Sequence, residues 1–293
     1  MRMRRIALAA AAAAALAAGQ AAWGQVEIQW SLMNDTVLLM EPIKSEVRIA
    51  NYTGMTLDFS EGGNARLDFV VESDGDRVPA SGKPVLRHPL LIPDGDERSV
   101  NVDILQAYRV VRGMVYMVQP VVTTGGERFA GRRRALEVQP GLVIFERTYG
   151  LRGADQRAVS LRVLHRDRFD HVFFRMDQPE TGLCLRTEDL GCIIRFVPPQ
   201  VELDSEGVVH VLHQTAPERF SHAMFRRDGS RAGLEYYAAT AGGIRLVRDE
   251  GAVRVAGGIP YEADPENPGQ LTGPTLPGPA GLRTLGPVEP EEE

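Results

Sequence analysis

Lysine is all but missing from this chain of 293 residues: Lys44 and Lys83 are the only two among 33 basic residues. With much alanine and glycine alongside, that arginine bias points to a GC-rich bacterial genome rather than to a function. Cysteine is as scarce, Cys184 and Cys192 being the only pair, so no cysteine cluster exists for zinc. Beyond residue 24 the sole tryptophan is Trp30, which leaves little aromatic surface for a sugar-cleaving cleft. Helical periodicity is hard to find after residue 24. No apolar run reaches the roughly 20 residues of a membrane helix. Catalytic signatures are missing too. There is no Gly-x-Ser-x-Gly elbow, no His-Glu-x-x-His helix and no glycine-rich loop opening a helix, and Gly62-Gly63, Gly125-Gly126 and Gly242-Gly243 fall where β-turns are expected. No cofactor is implied.

What is present starts at the N-terminus. Arg2, Arg4 and Arg5 precede an unbroken apolar stretch from Ile6 to Ala18, followed by small residues. This pattern reads as a secretory signal peptide over 1–24, cleaved after Gly24, with Ala21 or Ala22 as alternative sites. Without those three arginines the formal charge moves from −6 to −9, which disfavours a nucleic-acid partner. Residues 260–293 hold seven of the acids, one arginine and eight of the 19 prolines. They read as a disordered acidic Pro/Gly-rich tail with neither helix nor ladder strand.

Between these ends, short alternating runs recur about every ten residues, separated by Gly, Pro, Asn or Asp, which predicts an all-β chain. Strands are expected around Val47–Ile49, Thr56–Phe59, Leu67–Val71, Ser99–Val102, Met114–Val122 and Arg133–Val138. Leu67, Phe69 and Val71 share a face. Seven or eight strands in this span predict an immunoglobulin-like β-sandwich over 26–139. The stretch Glu46-Val47-Arg48-Ile49-Ala50-Asn51-Tyr52-Thr53-Gly54, with Leu57-Asp58-Phe59, Leu67-Asp68-Phe69-Val70-Val71 and Asp74-Gly75, resembles the opening of the bacterial intracellular proteinase inhibitor-like β-sandwich. The resemblance covers residues 46–75 and implies the fold alone, because the aromatic and serine pattern expected downstream is missing. Tyr108 followed by Gly113–Val118 resembles the last hairpin of such sandwiches, with Tyr116 placed as a corner tyrosine that reaches back to backbone.

Residues 141–259 have a different texture. At an offset of 44, Val201-Glu202-Leu203, Glu206-Gly207 and Val209-His210-Val211 fall on Arg245-Leu246-Val247, Glu250-Gly251 and Val253-Arg254-Val255. Each copy reads as strand, acidic-Gly turn, strand, and residues 195–257 resemble β-propeller-type repeats. The length supplies too few blades for a ring from one chain, so an open antiparallel meander with blade-like repeats is expected, or else a ring closed by several chains.

Candidate chemistry concentrates in this second part. Cys184 and Cys192 flank a charged turn-like segment and, in an oxidising compartment, suit a disulfide across the two strands of a hairpin. Five of the six histidines fall between 165 and 222. His165, Asp167, Asp170 and His171 are ligand types suited to zinc or another divalent metal, although arginines surround them. His210 and His213 sit three apart in an alternating strand and so point to opposite faces. Arg132-Arg133-Arg134 either docks an anion, the chain's own tail included, or guards an edge strand. The expectation is therefore a non-catalytic exported protein, periplasmic or extracellular, that binds or scaffolds an envelope protein or glycan. The alternative is a metal-dependent hydrolase built on His165, Asp167, Asp170 and His171.

Overall fold

The computed structural model describes residues 25–150, 156–263 and 271–272. The expected signal peptide lies outside them, as does nearly all of the expected tail. Among the described residues the chain is all-β, with one short helix, and it divides into two compact units between Pro140 and Gly141. No helix among them is long and apolar enough to cross a membrane.

The first unit runs β1 (Val26–Leu32), β2 (Thr36–Leu38), β3 (Lys44–Asn51), β4 (Leu57–Asp58), β5 (Ala65–Ser73), β6 (Asp76–Arg77), β7 (Leu91–Ile92), β8 (Glu97–Asp103), α1 (Ile104–Ala107), β9 (Val115–Thr124), β10 (Glu127–Ala130) and β11 (Arg134–Gln139). One sheet has the order β1-β3-β8, and the other has β2-β11-β9-β5-β6 with β10 added to β9. Neighbours are antiparallel except β2, which lies parallel to β11. Period-two alternation sends Trp30, Val47 and Ile49 from the first sheet, and Leu67, Phe69, Val71, Val118 and Leu136 from the second, into one core. Trp30 meets the Phe69 ring edge-on at 5.7 Å and donates its indole N–H to the Arg132 carbonyl at 2.6 Å, so one side chain ties both sheets to the start of β11.

Two tyrosines close the unit. The Tyr116 hydroxyl donates to the Arg112 carbonyl at 3.0 Å, the backward reach expected of a corner tyrosine. The Tyr108 hydroxyl accepts the Phe69 N–H at 2.8 Å within the core. Sequence spacing gave no sign of this second bond, since its partners lie 39 residues apart.

The second unit runs β12 (Leu142–Gly150), β13 (Gln156–Arg166), β14 (Phe169–Gln178), β15 (Leu183–Cys192), β16 (Gln200–Leu203), β17 (Val209–Ala216), β18 (Arg219–Phe225), β19 (Arg231–Ala239), β20 (Arg245–Asp249), β21 (Ala252–Ala256), β22 (Gly258–Pro260), β23 (Glu262–Ala263) and β24 (Leu271–Thr272). A four-stranded meander, β12-β13-β14-β15, packs against a five-stranded sheet, β16-β17-β18-β19-β22, through Leu161, Phe174, Val211 and Phe225. Phe174 and Phe225 stack at 3.8 Å across this interface. The far face of the five-stranded sheet is covered by the β20-β21 hairpin, through Leu212, Phe220, Ile244, Leu246 and Val253. Strand β17 is therefore buried on both faces from Val209 to Gln214.

One expectation is made more specific and one is corrected. Both copies at the 44-residue offset are hairpins, β16-β17 and β20-β21, yet they belong to different sheets, and the described residues form no closed propeller or barrel. The copies meet turn to turn instead: the Ser205 N–H donates to the Gly251 carbonyl at 2.8 Å. Glu250 and Gly251 both have positive φ, as a two-residue hairpin turn requires, and a Cβ on Gly251 would stand 2.9 Å from the Ser205 hydroxyl. Next, Glu262–Ala263 pairs with Leu271–Thr272, a short ladder inside the stretch expected to hold none. Its partners avoid the prolines that bar most of that segment from a ladder.

Replacing Tyr108 with Phe should leave the buried Phe69 N–H without an acceptor and cost about 1–3 kcal/mol. Urea unfolding of the two proteins checks this; an unchanged midpoint would remove Tyr108 as a core strut.

Candidate functional site

The histidines of the second unit resolve into three environments. His165 is paired with Asp170 across β13 and β14, and the two flank a turn in which Asp167 and Arg168 both have positive φ. The His165 Nδ1 lies 3.0 Å from Asp170, whose second oxygen accepts from Arg195 at 2.5 Å. The His165 contact and the Arg195 charge hold the Asp170 carboxyl below the usual range. His171 is paired in register with Leu164 rather than His165, which puts it on the opposite face of the sheet. The four residues of the hydrolase alternative are thus divided between a turn and two faces, and among the described residues no group of three or more His, Cys, Asp and Glu side chains is placed to hold a metal ion.

The second environment is a hydrogen-bonded chain on the covered far face of β17. His210 Nδ1 lies 3.0 Å from His222 Nε2, His210 Nε2 lies 3.4 Å from Asp204, and His222 Nδ1 lies 3.3 Å from Glu235. The Tyr237 hydroxyl donates to the same Glu235 oxygen at 2.7 Å. Burial foremost, then this carboxylate, pushes the phenol up to about 12. With both carboxylates ionised, three protons on the four ring nitrogens satisfy every link. With two protons, one link is left bare. The His222 pKa is lowered, by burial foremost and by the neighbouring His210, with Glu235 pulling the other way.

The third environment lies where β14 and β15 meet out of register. A bulge between His171 and Phe173 places His171 opposite Cys192 and Phe173 opposite Asp189. His171 Nδ1 is 3.0 Å from one Asp189 oxygen and its Nε2 is 3.8 Å from the Cys192 sulfur. Asp189 also accepts from Arg166 and, at 2.7 Å, from the Gly191 N–H. His213, 1% exposed, comes from the core-facing side of β17, and neither of its ring nitrogens has a partner among the described residues. Burial pulls its pKa down to about 4; the Asp189 charge and the Cys192 backbone pull the other way without closing a hydrogen bond. His210 and His213 do take opposite faces, as alternation requires.

The disulfide expectation is corrected here. Cys184 and Cys192 are both free and both lie on β15. Eight residues of extended chain separate them by about 26 Å, against the roughly 7 Å limit between Cα atoms for a bridge. The charged residues between them, Thr187-Glu188-Asp189, are strand rather than turn. Sequence reasoning also missed Asp189, Arg166, Asp204 and Glu235. Asp189, Arg166 and Glu235 act across strands, and only the pairing of β14 with β15 would have pointed to Asp189, whereas Asp204 lies in the turn after β16, six residues before His210.

No protein-family model matches the chain, and comparison with curated protein sequences finds no match. Among solved structures, the chain is similar to the sporulation control protein Spo0M of Bacillus subtilis at 12% identity and a TM-score of 0.25, covering 55% of this chain and 83% of that one. A DUF4784 family protein of Bacteroides caccae follows at 11% identity and 0.22, covering 80% and 70%. The YadV chaperone follows at 13% and 0.20, covering 72% and 98%. Similarities this low carry no argument about fold or function.

A pH titration of stability tests the His213 assignment. Between its ordinary value of 6.5 and about 4, the unfolded chain binds a proton that the folded chain refuses. Stability from this group is therefore fully present above pH 6.5 and lost as pH falls toward 4, by on the order of 3 kcal/mol. His213→Phe should flatten that slope and raise the unfolding midpoint at pH 7, because two unpaired polar atoms leave the core. A variant with the wild-type slope would show that another group is responsible.

Proposed function

We propose that this chain is an exported, non-catalytic binding module whose first unit, an immunoglobulin-like sandwich, takes up an extended segment of a partner protein along the edge of β8. The sandwich reading is supported by two sheets facing one core, by the parallel pairing of β2 with β11, and by the Tyr116 corner. Export is supported by the composition of residues 1–24.

The observation that carries the binding reading is the outer edge of β8. The strand pairs with β3 on one side and with no strand on the other among the described residues. Exposed edges are normally guarded by charge. Here Glu97 and Arg98 stand at the first end, tied to Arg48 and Asp96, and Asp103 stands at the other, accepting from the Ile43 and Leu105 N–H groups. Val100-Asn101-Val102 has no such guard and opens onto a groove of about 600 Å³. Met33, Leu86 and Leu90 supply its apolar wall, with Lys44 and Arg87 beside them and Asp103 as the one carboxylate of the lining. Open backbone donors and acceptors, alternating apolar contacts and basic flanks suit an extended segment that alternates apolar and acidic residues.

A ten-residue peptide alternating Val and Glu serves as the probe, with a scrambled peptide of equal composition as control. Binding should slow amide exchange at Val100–Val102, and Met33→Asp, at a site 66% exposed, should weaken it about tenfold by removing one apolar contact. Protection elsewhere in the chain, or equal binding of the scrambled peptide, would refute the β8 assignment.

A further inference from the structure

We infer that Cys192 is a base-assisted thiol that exchanges with disulfides and carries the resulting mixed disulfide. Three observations converge on it. The first is the linear order of groups: the Cys192 sulfur, His171 Nε2 at 3.8 Å, His171 Nδ1, and the Asp189 carboxylate at 3.0 Å. Asp189 accepts a hydrogen bond from the Nδ1–H, which leaves the Nε2 lone pair aimed at the thiol, the tautomer a general base needs.

The second is the anchoring of Asp189. Arg166 and the Gly191 N–H hold both of its oxygens in place, and Arg166 is itself buried against the Phe173 ring. The carboxylate is thereby held in one orientation. The third is His213, which is buried, has neither ring nitrogen within hydrogen-bond geometry of a partner among the described residues, and stands beside Asp189 and the Cys192 backbone. It also stays neutral at ordinary pH, so it adds no positive charge that would oppose protonation of His171.

The chemistry balances with a disulfide as the only co-reactant. His171 Nε2 takes the Cys192 proton as the sulfur attacks one sulfur of the incoming disulfide. The new S–S bond forms as the old one breaks, and the departing thiolate recovers the proton from His171. Both Cys192 and His171 are only partly buried, and the exposed Phe169 ring lies two residues along β14 on the face of His171. The site is therefore open to an aromatic or other apolar disulfide.

Cys184 cannot complete a second step. It lies about 26 Å away along the same strand, where burial, partly offset by Thr187, pushes its thiol up. The product is consequently a persistent mixed disulfide, released only by an external thiol.

The full chain is treated with a sub-stoichiometric amount of a neutral aromatic disulfide, dithiodipyridine, and the labelled cysteine is located by peptide mass spectrometry. Cys192 should react roughly a hundredfold faster than Cys184, the order of a general-base contribution. His171→Gln should bring Cys192 down toward the Cys184 rate, and Cys184→Ala should leave the fast reaction intact. Equal rates at the two cysteines in the wild type would overturn the proposal, as would a folded His171→Gln protein with an unchanged Cys192 rate. The wild-type ratio needs no variant, so it decides the question even where the glutamine protein fails to fold. An intramolecular Cys184–Cys192 disulfide as the main product would overturn the single-thiol assignment.

Discussion

Strand β17 is covered on both faces, and much of the second unit follows from that constraint. Its residues Val209, Val211 and His213 turn toward the four-stranded meander, while His210, Leu212 and Gln214 turn toward the β20-β21 hairpin. Water reaches neither side, so each polar side chain must bring a partner or remain unsatisfied. Gln214 finds the Pro217 carbonyl at 2.8 Å and His210 finds His222. His213 finds none. The two imidazoles of β17 differ in chemistry because one twice-buried strand forces them into different company.

The meander that packs on β17 is regular where it meets the core and irregular where its polar groups gather. From Val159 to Val163 the alternation of β13 is matched residue for residue by β14. At the next boundary, between β14 and β15, the register slips twice, once beside Cys192 and once beside Cys184. A bulge re-aims the side chains that flank it. The Cys192 slip is what brings a thiol, an imidazole and a carboxylate into line without any local sequence motif. The first unit shows the complementary case, a regular edge strand whose unguarded half is left open beside an apolar groove.

Much of the strand pattern was legible in the sequence because period-two alternation and turn residues are local properties. Leu67, Phe69 and Val71 share a buried face as alternation requires, and Asp74-Gly75 makes a tight turn with both φ values positive. The opposite facing of His210 and His213 needed only their spacing. The disulfide failed because Thr187-Glu188-Asp189, polar and charged, looks like a turn when its partners are unknown. In the folded chain Thr187 and Glu188 are buried in the middle of β15. The hydrolase grouping failed for a related reason: His165 and His171 are near in sequence, but a two-residue turn between β13 and β14 puts them on opposite faces.

The sequence by itself determined the all-β character, the Gly-marked turns and the faces on which neighbouring side chains lie, since these depend on contacts a few residues long. Tertiary structure alone decided which strands became neighbours and in what register, because pairing energies depend on side chains far apart in the chain. Asp189 meets His171, Glu235 meets His222 and Tyr108 meets the Phe69 amide only after sheets have assembled. The acidic–Gly hairpins separated by 44 residues make the same point. Their shared local pattern specified two hairpins, and packing then placed one inside a sheet and the other across its face.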